Sequence, residues 1–210
     1  MSVLTTLARC RLVIFAKSPE SGQVKTRIAQ QTGPRQATEI YEEMLTQMIR
    51  ESAANDQWER LLSITPESDA LYFHHWGLHT LRQRGNSLGE RMANALLDSL
   101  KSGIDKTIMI GSDIPTLTQA ELLVAFEEVT DAQAVIGPSE DGGFYLLGVS
   151  KERLTDVWKL LRQPIHWSTS TVLLEMERLC WRYQLPLRYL PGKRDIDTYE
   201  DWLSYQNRRR

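Results

Sequence analysis

The first regular feature of the chain is an unbroken apolar run at residues 11–17 (RLVIFAK), the pattern of a strand covered on both faces. From residue 36 to 52 the period changes. Ile40, Met44 and Met48 interleave with Tyr41, Leu45 and Ile49 at i, i+4 spacing, which lays one apolar stripe along a helix. Residues 58–65 and 78–84 read as a second and a third strand. Asn86 or Ser87 can cap a helix that carries Leu88, Met92, Leu96 and Leu100 and stops at Gly103.

Residues 106–110 (KTIMI) form another buried-type strand, and Thr118 with Glu121 has the spacing of a capping box ahead of Leu122, Phe126 and Val129. Residues 132–137 and 144–149 give two strands with no room for a helix between them. A helix with Leu154, Val157, Trp158 and Leu161 follows, then one from about Ser168 with Val172, Met176 and Leu179. A late strand at 187–190 and a last helix capped by Thr198 complete the pattern. Alternating strands and helices predict a mostly parallel sheet with helices on both faces, the close pair at 132–149 being the exception. No repeat, low-complexity stretch or linker interrupts it, so the expectation is one domain over residues 1–210 with its core at 11–205. Ligands of such sheets bind beyond the carboxyl ends of the strands, which makes the residues just after each strand the candidates for chemistry.

Composition narrows the classes. The 210 residues are 41% hydrophobic and 25% charged, enough for a full core without disulfide or metal staples. Acids number 27 and Lys plus Arg 25, for a net charge of −2, which gives no overall pull toward nucleic acid or an anionic membrane. The basic run at 208–210 reads as a solvated tail. Cys10 and Cys180 form no CxxC or Cys/His cluster, so neither structural zinc nor a disulfide framework is expected, and both read as reduced, half-buried residues. His74, His75, His79 and His166 show no ligand spacing. No apolar run exceeds five residues, far below the ~18 that a membrane span needs. Arg9, Arg11 and Lys17 break the order of a signal peptide, and the expected location is the cytoplasm.

Four segments after strands carry chemistry. The stretch at 16–27 (AKSPESGQVKTR) holds Lys17, Gly22, Lys25 and Arg27. A loop that enters a helix and carries cations suits a diphosphate; it is not a Walker A loop, because Val24 stands where a glycine should precede the lysine. A solvated surface turn is the plain alternative. Gly111, Ser112 and Asp113 follow the strand at 106–110. A carboxylate there can hold a divalent metal over a diphosphate, or can bond its own backbone in a turn ahead of Pro115. Residues 139–143 (SEDGG) contain the Asp-Gly signal of a hairpin. Glu140 or Asp141 could instead face a cleft and bind sugar hydroxyls or act as a base. In 194–198 (RDIDT), Asp195 and Asp197 are expected on opposite sides of the segment. Only one can face a metal, and Asp197 is the stronger candidate, with Asp195 supporting it or capping the helix; both could equally be helix-start acids. Trp167 and Ser168 stand at another expected helix start.

The motifs AKSPESGQVKTRI (16–28), RGNSLGERM (84–92), GSDIPTL (111–117), GPSEDGGFYLLG (137–148), HWST (166–169) and DIDTYEDW (195–202), in this order, resemble the small bacterial glycosyltransferase family of the nucleotide-diphospho-sugar transferase superfamily, whose members are labelled radical-SAM- or selenodomain-associated or arsenosugar-biosynthesis transferases. The resemblance spans about residues 11–205. It implies a GT-A fold, a single α/β domain built as a three-layer α/β/α sandwich around a mostly parallel mixed sheet. It implies Lys25 and Arg27, with Lys17, Gly22, Arg91 and Ser112, on the nucleotide phosphates, and Asp113 and Asp197 on the metal. Asp141 and Glu140 would be the catalytic acids, with Gly142, Gly143, Trp167 and Ser168 on the acceptor side. Similar sequences often carry an Asp after the proline of GSD-x-P; here it is Thr116, which shifts the weight of metal binding to Asp197.

The implied activity is transfer of a sugar from a nucleotide-diphosphate donor to a small or lipid-like acceptor, assisted by Mg²⁺ or Mn²⁺ bound together with the nucleotide. A nucleotidyltransferase of the guanylyltransferase kind is the nearest rival, and the single glycine among residues 17–27 argues against the Gly-rich triphosphate loop that such enzymes commonly use. A non-catalytic nucleotide-sugar-binding module is the third reading. The expected partners are the nucleotide or nucleotide-sugar and a small-molecule acceptor, with no nucleic acid and no membrane insertion, and a homodimer is an open assembly.

Overall fold

The computed structural model describes residues 8–20, 23–53, 57–66 and 70–209. Strand β1 (Cys10–Lys17) takes parallel partners on both sides, β2 (Glu59–Thr65) and β4 (Lys106–Ile110), with Val13 opposite Leu61 on one side and Met109 on the other. Outside β2 lies the parallel β3 (His79–Arg82). On the other flank β6 (Phe144–Ser150) runs antiparallel to β4, β5 (Ala134–Pro138) antiparallel to β6, and β7 (Leu187–Tyr189) parallel to β5. The order is β3-β2-β1-β4-β6-β5-β7, and β6 is the one reversed strand. The short span between β5 and β6 allows only a hairpin, as the sequence pattern requires, because a parallel return needs a crossover of a dozen residues or more.

The unbroken apolar run of β1 feeds two cores. Leu12, Ile14 and Ala16 face one layer and Val13 the other, the two-residue alternation of a strand with no wet face. On the first face lie α2 (Pro34–Glu51) and α5 (Gln119–Glu128), through Tyr41, Leu45, Met48 and Ile49 and through Leu122, Ala125 and Phe126. On the second lie α4 (Leu88–Lys101), α6 (Lys151–Leu161) and α7 (Val172–Arg182), through Met92, Leu96, Leu154, Val157 and Met176. The result is a three-layer α/β/α sandwich with a mixed, mostly parallel sheet.

A third cluster packs α1 (Thr26–Thr32) and α8 (Tyr199–Arg209) outside α2, joining Ile28, Ile40, Met44, Ile196, Trp202 and Tyr205. Between β2 and β3 run the four-residue α3 (Ala70–Phe73) and a 3₁₀ turn, His74–Trp76. Helix α1 leaves little trace in the sequence: it buries only Ile28 and has no side-chain cap.

The caps agree with the sequence elsewhere. Ser87 accepts the Glu90 N–H, and Thr118 and Glu121 form the capping box. The helix expected from Ser168 starts later, at Val172. Ser168 itself is left-handed, with φ 65°. The Glu175 carboxylate accepts the His166 N–H at 3.0 Å and the Thr171 hydroxyl at 2.9 Å, and such side-chain bonds hold the segment as a loop.

That loop also places Trp167 over Gly89 of α4. A Cβ on Gly89 would lie 2.2 Å from the Leu161 carbonyl oxygen and 2.7 Å from the Trp167 ring. Gly89→Ala is therefore expected to cost about 1–3 kcal/mol through overpacking. At roughly 2–4 °C per kcal/mol for a chain of this size, a thermal melt reads the loss directly; an unchanged Tm would show that α4 does not need this close approach.

Candidate functional site

From β1 the chain proceeds to β2 on one flank, while β4 leads to the other. The two loops that leave the carboxyl ends of β1 and β4 therefore diverge and open a crevice between them, the place where doubly wound sheets bind ligands. Lys25 enters this crevice from the β1 side, in a left-handed conformation (φ 45°, ψ 48°) at the start of α1. Its side chain is only 6% exposed, and its ammonium lies 2.7 Å from Asp113 Oδ1 and 3.4 Å from Asp197 Oδ1. The ammonium also donates to the carbonyl oxygen of Ile196 at 2.5 Å. Burial alone would depress the Lys25 pKa, but Asp113 and then Asp197 outweigh it and hold it above the usual lysine value. Arg27, more exposed, reaches the second oxygen of Asp197 at 3.2 Å.

A late extended segment closes the crevice. Lys193 pairs with Ser139 in an isolated parallel bridge, donates its N–H to Pro138 and accepts from the Glu140 N–H. Three residues on, the Ile196 N–H donates to the Asp113 carbonyl at 3.0 Å. One stretch thus ties the β5–β6 hairpin to the loop after β4 and sets Asp195 and Asp197 among the other acids. Asp195 does not cap α8; Thr198 does, accepting the Asp201 N–H. The Asp195 carboxyl is half-buried, and its pKa is pushed up to about 7 by that burial first and then by the charges of Asp141, Asp197 and Asp113. The expectation that only Asp197 would look into the site is corrected: residues two apart on an extended segment share a face, so Asp197 meets Lys25 and Arg27 while Asp195 lies in the field of Asp141, Asp197 and Asp113.

The other candidates divide. Asp141 stands at the hairpin tip, its Oδ1 accepting the Ser139 hydroxyl at 2.5 Å and the Gly143 N–H at 2.9 Å; it holds the turn as well as charging the site. Glu140 is exposed beside it. Gly142 has φ 88° and lies so close to the Trp167–Ser168 loop that a Cβ would meet the Ser170 carbonyl oxygen at 2.1 Å. Trp167 packs edge-on against Phe144, with ring centroids 6.4 Å apart, Gly143 lies against Asp141 and Ser139 of its own turn, and Ser168 is exposed. Arg91 is already bonded to Gly85 and Gln83. The Ser112 hydroxyl points at the Tyr41 hydroxyl, 3.4 Å away. The Lys17 side chain is exposed, and Gly22 lies outside the described residues.

Two contributors escape the sequence pattern. Tyr41 belongs to the apolar stripe of α2, yet its hydroxyl accepts the Lys17 N–H at 2.9 Å and donates to the Lys17 carbonyl at 3.1 Å; burial pushes its pKa up to about 12. A buried tyrosine needs such a partner, and that need was the available signal. Gln83, just after β3, bridges the Ala16 and Ser63 carbonyls of β1 and β2. A cavity lined by Asp105, Thr130, Lys151 and Glu152 opens at the opposite end of β4. Its Lys151 is already paired with Asp105 at 2.6 Å, and none of the motif residues lines it. Among the described residues no helix is long and apolar enough to cross a membrane.

A protein from Desulfovibrio desulfuricans G20 that carries the name of a nucleotide-diphospho-sugar transferase superposes with a TM-score of 0.86 at 27% identity, over 95% of this chain and 87% of that one. A cytidylyltransferase from Leptospira borgpetersenii gives 0.62 at 15% identity, over 95% and 85%. A 4-diphosphocytidyl-2C-methyl-D-erythritol synthase from Anaerococcus prevotii gives 0.63 at 11%, over 97% of both. The fold is that of the nucleotide-diphospho-sugar transferases. A family profile described as "Uncharacterized protein conserved in bacteria (DUF2064)" matches residues 48–169. No protein of the curated set matches the chain.

The raised Asp195 pKa has a consequence for stability. A carboxyl that titrates near 7 when folded and near 4 when unfolded favours the fold fully only below pH ~4, and that contribution is lost as pH rises toward 7. Asp195→Asn is expected to flatten this slope and to stabilise the protein at pH 8 by roughly 1–2 kcal/mol, allowing for the solvent that reaches the group. Asp141→Asn, which keeps an acceptor for the turn, should lower the Asp195 pKa. Melts from pH 4 to 8 read the first effect and carboxyl NMR titration the second; parallel pH–stability curves for Asp195→Asn and wild type would contradict the assignment.

Proposed function

The chain belongs to the DUF2064 family, and from that premise we propose that it transfers a sugar from a nucleotide-diphosphate donor to a hydroxyl-bearing small acceptor. The observation that carries the proposal is the convergence of Lys25, Arg27, Asp113 and Asp197 at the crevice where this sheet changes direction. The name of the Desulfovibrio structure, at 27% identity, supports the same class of donor.

In this reading the bond from the anomeric carbon to the diphosphate breaks, the acceptor oxygen forms the new bond, and its proton leaves to a carboxylate. Negative charge develops on the departing diphosphate. Arg27, 70% exposed at its side chain, and Lys25 are the cations that would take up that charge. Asp141, at the hairpin tip and inside the field of the other acids, is the carboxylate proposed to take the acceptor proton, with Glu140 exposed next to it. Tyr41 and Gln83 hold the ends of β1 and β2 in place and so keep the crevice walls in register.

The residues fit a divalent cation of the magnesium type. An ammonium already rests on oxygens of Asp113, Asp197 and Ile196, an all-oxygen donor set that suits Mg²⁺ or Mn²⁺. Among the described residues no three His, Cys, Asp or Glu side chains form a metal cluster, so in this reading the diphosphate would have to supply the remaining oxygens. When bound, such an ion would neutralise the leaving diphosphate.

Nucleotidyl transfer is the second reading, favoured by the shared fold of the cytidylyltransferase and the synthase. Products separate the two: sugar transfer releases a nucleoside diphosphate, nucleotidyl transfer releases pyrophosphate. The test is a melt with a panel of nucleoside diphosphates, triphosphates and nucleotide-sugars, with and without Mg²⁺, followed by product analysis for each ligand that raises Tm. We expect a nucleotide-sugar with Mg²⁺ to stabilise the protein and Asp113→Ala or Asp197→Ala to remove the metal-dependent part. Arg27→Ala should weaken binding by roughly 1.5–3 kcal/mol, the range of a charge-assisted contact. No shift with any nucleotide would refute the proposal.

A further inference from the structure

The phosphate-facing lysine is not waiting for phosphate. Its ammonium has three N–H bonds to give, and it has three oxygen neighbours: Asp113 Oδ1 at 2.7 Å, the Ile196 carbonyl at 2.5 Å and Asp197 Oδ1 at 3.4 Å. The side chain is almost wholly buried, whereas the Asp113 and Asp197 side chains remain 50% and 37% exposed. The carboxylates can be approached from solvent, but the charge that balances them comes from inside the protein. The backbone of Lys25 is bent into the left-handed region to bring this about, a conformation that costs a non-glycine residue of order 1 kcal/mol or more and persists only where the surroundings enforce it.

We infer that the Lys25 ammonium is the resident counter-cation of the site, holding the carboxylate oxygens of Asp113 and Asp197 that a divalent ion would use, and that a diphosphate must draw it away before those acids accept metal. The inference rests on the nucleotide-binding reading for its second half only. With the lysine in place, Asp113, Asp197 and Lys25 sum to one negative charge, and the nearer oxygen of Asp113 is already bonded. A dication arriving alone would have to displace a buried ammonium into a cationic neighbourhood with Arg27. A diphosphate changes the balance, because it offers the ammonium new oxygens and brings its own to the ion. Nucleotide and metal would then bind with positive coupling, and the coupling would reside in one side chain.

The test needs no substrate. Mn²⁺ is titrated into the whole protein and followed by the loss of free-ion EPR signal. Wild type should show only weak binding. Lys25→Met keeps the aliphatic stem, removes the charge, and should bind Mn²⁺ at least about tenfold more tightly without nucleotide; in Lys25→Met combined with Asp113→Asn the gain should disappear. Equal Mn²⁺ affinity in wild type and Lys25→Met, or a gain that survives Asp113→Asn, overturns the counter-cation role. Should Lys25→Met fail to fold, Lys25→Gln is read the same way, and ¹⁵N spectra of the lysine ammonium in wild type give a further measure. A protected Lys25 signal that persists with Mg²⁺ alone supports the inference, and its absence in the free protein refutes it. Loss of that protection on adding a nucleoside diphosphate supports the displacement step. A Mn²⁺ gain in Lys25→Met with no nucleotide binding by wild type would leave the counter-cation standing and refute the nucleotide reading instead.

Discussion

The arrangement of the crevice depends on one buried ion pair. Lys25 comes from the loop after the first strand, Asp113 from the loop after the fourth, and the Ile196 carbonyl from a segment near the end of the chain. A lysine so buried is tolerable only when its charge is matched and its N–H bonds are filled. The three partners are therefore obliged to stay together, and with them the walls of the site. Hydrophobic packing brings the same segments close, since Ile28, less than one turn of helix beyond the strained position, and Ile196 share one cluster with Trp202 and Tyr205. Packing sets the distance and the ion pair sets the geometry.

Around this pair the acids do unequal work. Asp113 and Asp197 are balanced by cations, while burial first and then the charges of Asp141, Asp197 and Asp113 make Asp195 bind a proton more tightly. Such a split between neighbouring carboxylates is a common way for one site to hold ionised and protonated acids side by side. Asp141 belongs to both halves of this division, since it fixes its own turn and contributes to the field at Asp195.

The architecture could be read from periodicity because each strand and long helix declares its buried face locally: the run at β1 has no polar interruption, and the stripe of α2 repeats without a break. Strand polarity followed from spacing, since the residues between β5 and β6 could form only a hairpin. The candidate site was readable as a set of post-strand motifs but not as a geometry. Nothing near Lys25 announces that its charge is consumed by residues some 88 and 172 positions away. The two-sided picture of residues 195–197 also failed, because residues two apart on an extended chain share a face, and Asp195 lies in the field of Asp197 and Asp113. The start of α7 was misplaced because Thr171 and His166 find a carboxylate partner, Glu175, that competes with the helix. Part of the motif set also serves packing: Gly89 lies against Trp167 and the Leu161 carbonyl, and Gly142 against the Ser170 carbonyl.

The segment from Lys193 to Ile196 is bonded at both ends, to Pro138 and Glu140 on one side and to the Asp113 carbonyl on the other. It therefore behaves as a ruler of fixed length. In an extended chain a slip of one residue exchanges the two faces, so a single insertion or deletion between these anchors would present an isoleucine side chain where a carboxylate belongs and would withdraw the carbonyl from the ammonium at the same stroke. Side chains along this stretch could drift over evolutionary time one by one, but its length could not. A homologue with one residue more or fewer between these two anchors would have to have rebuilt its charge arrangement, however well the rest of its sequence aligned.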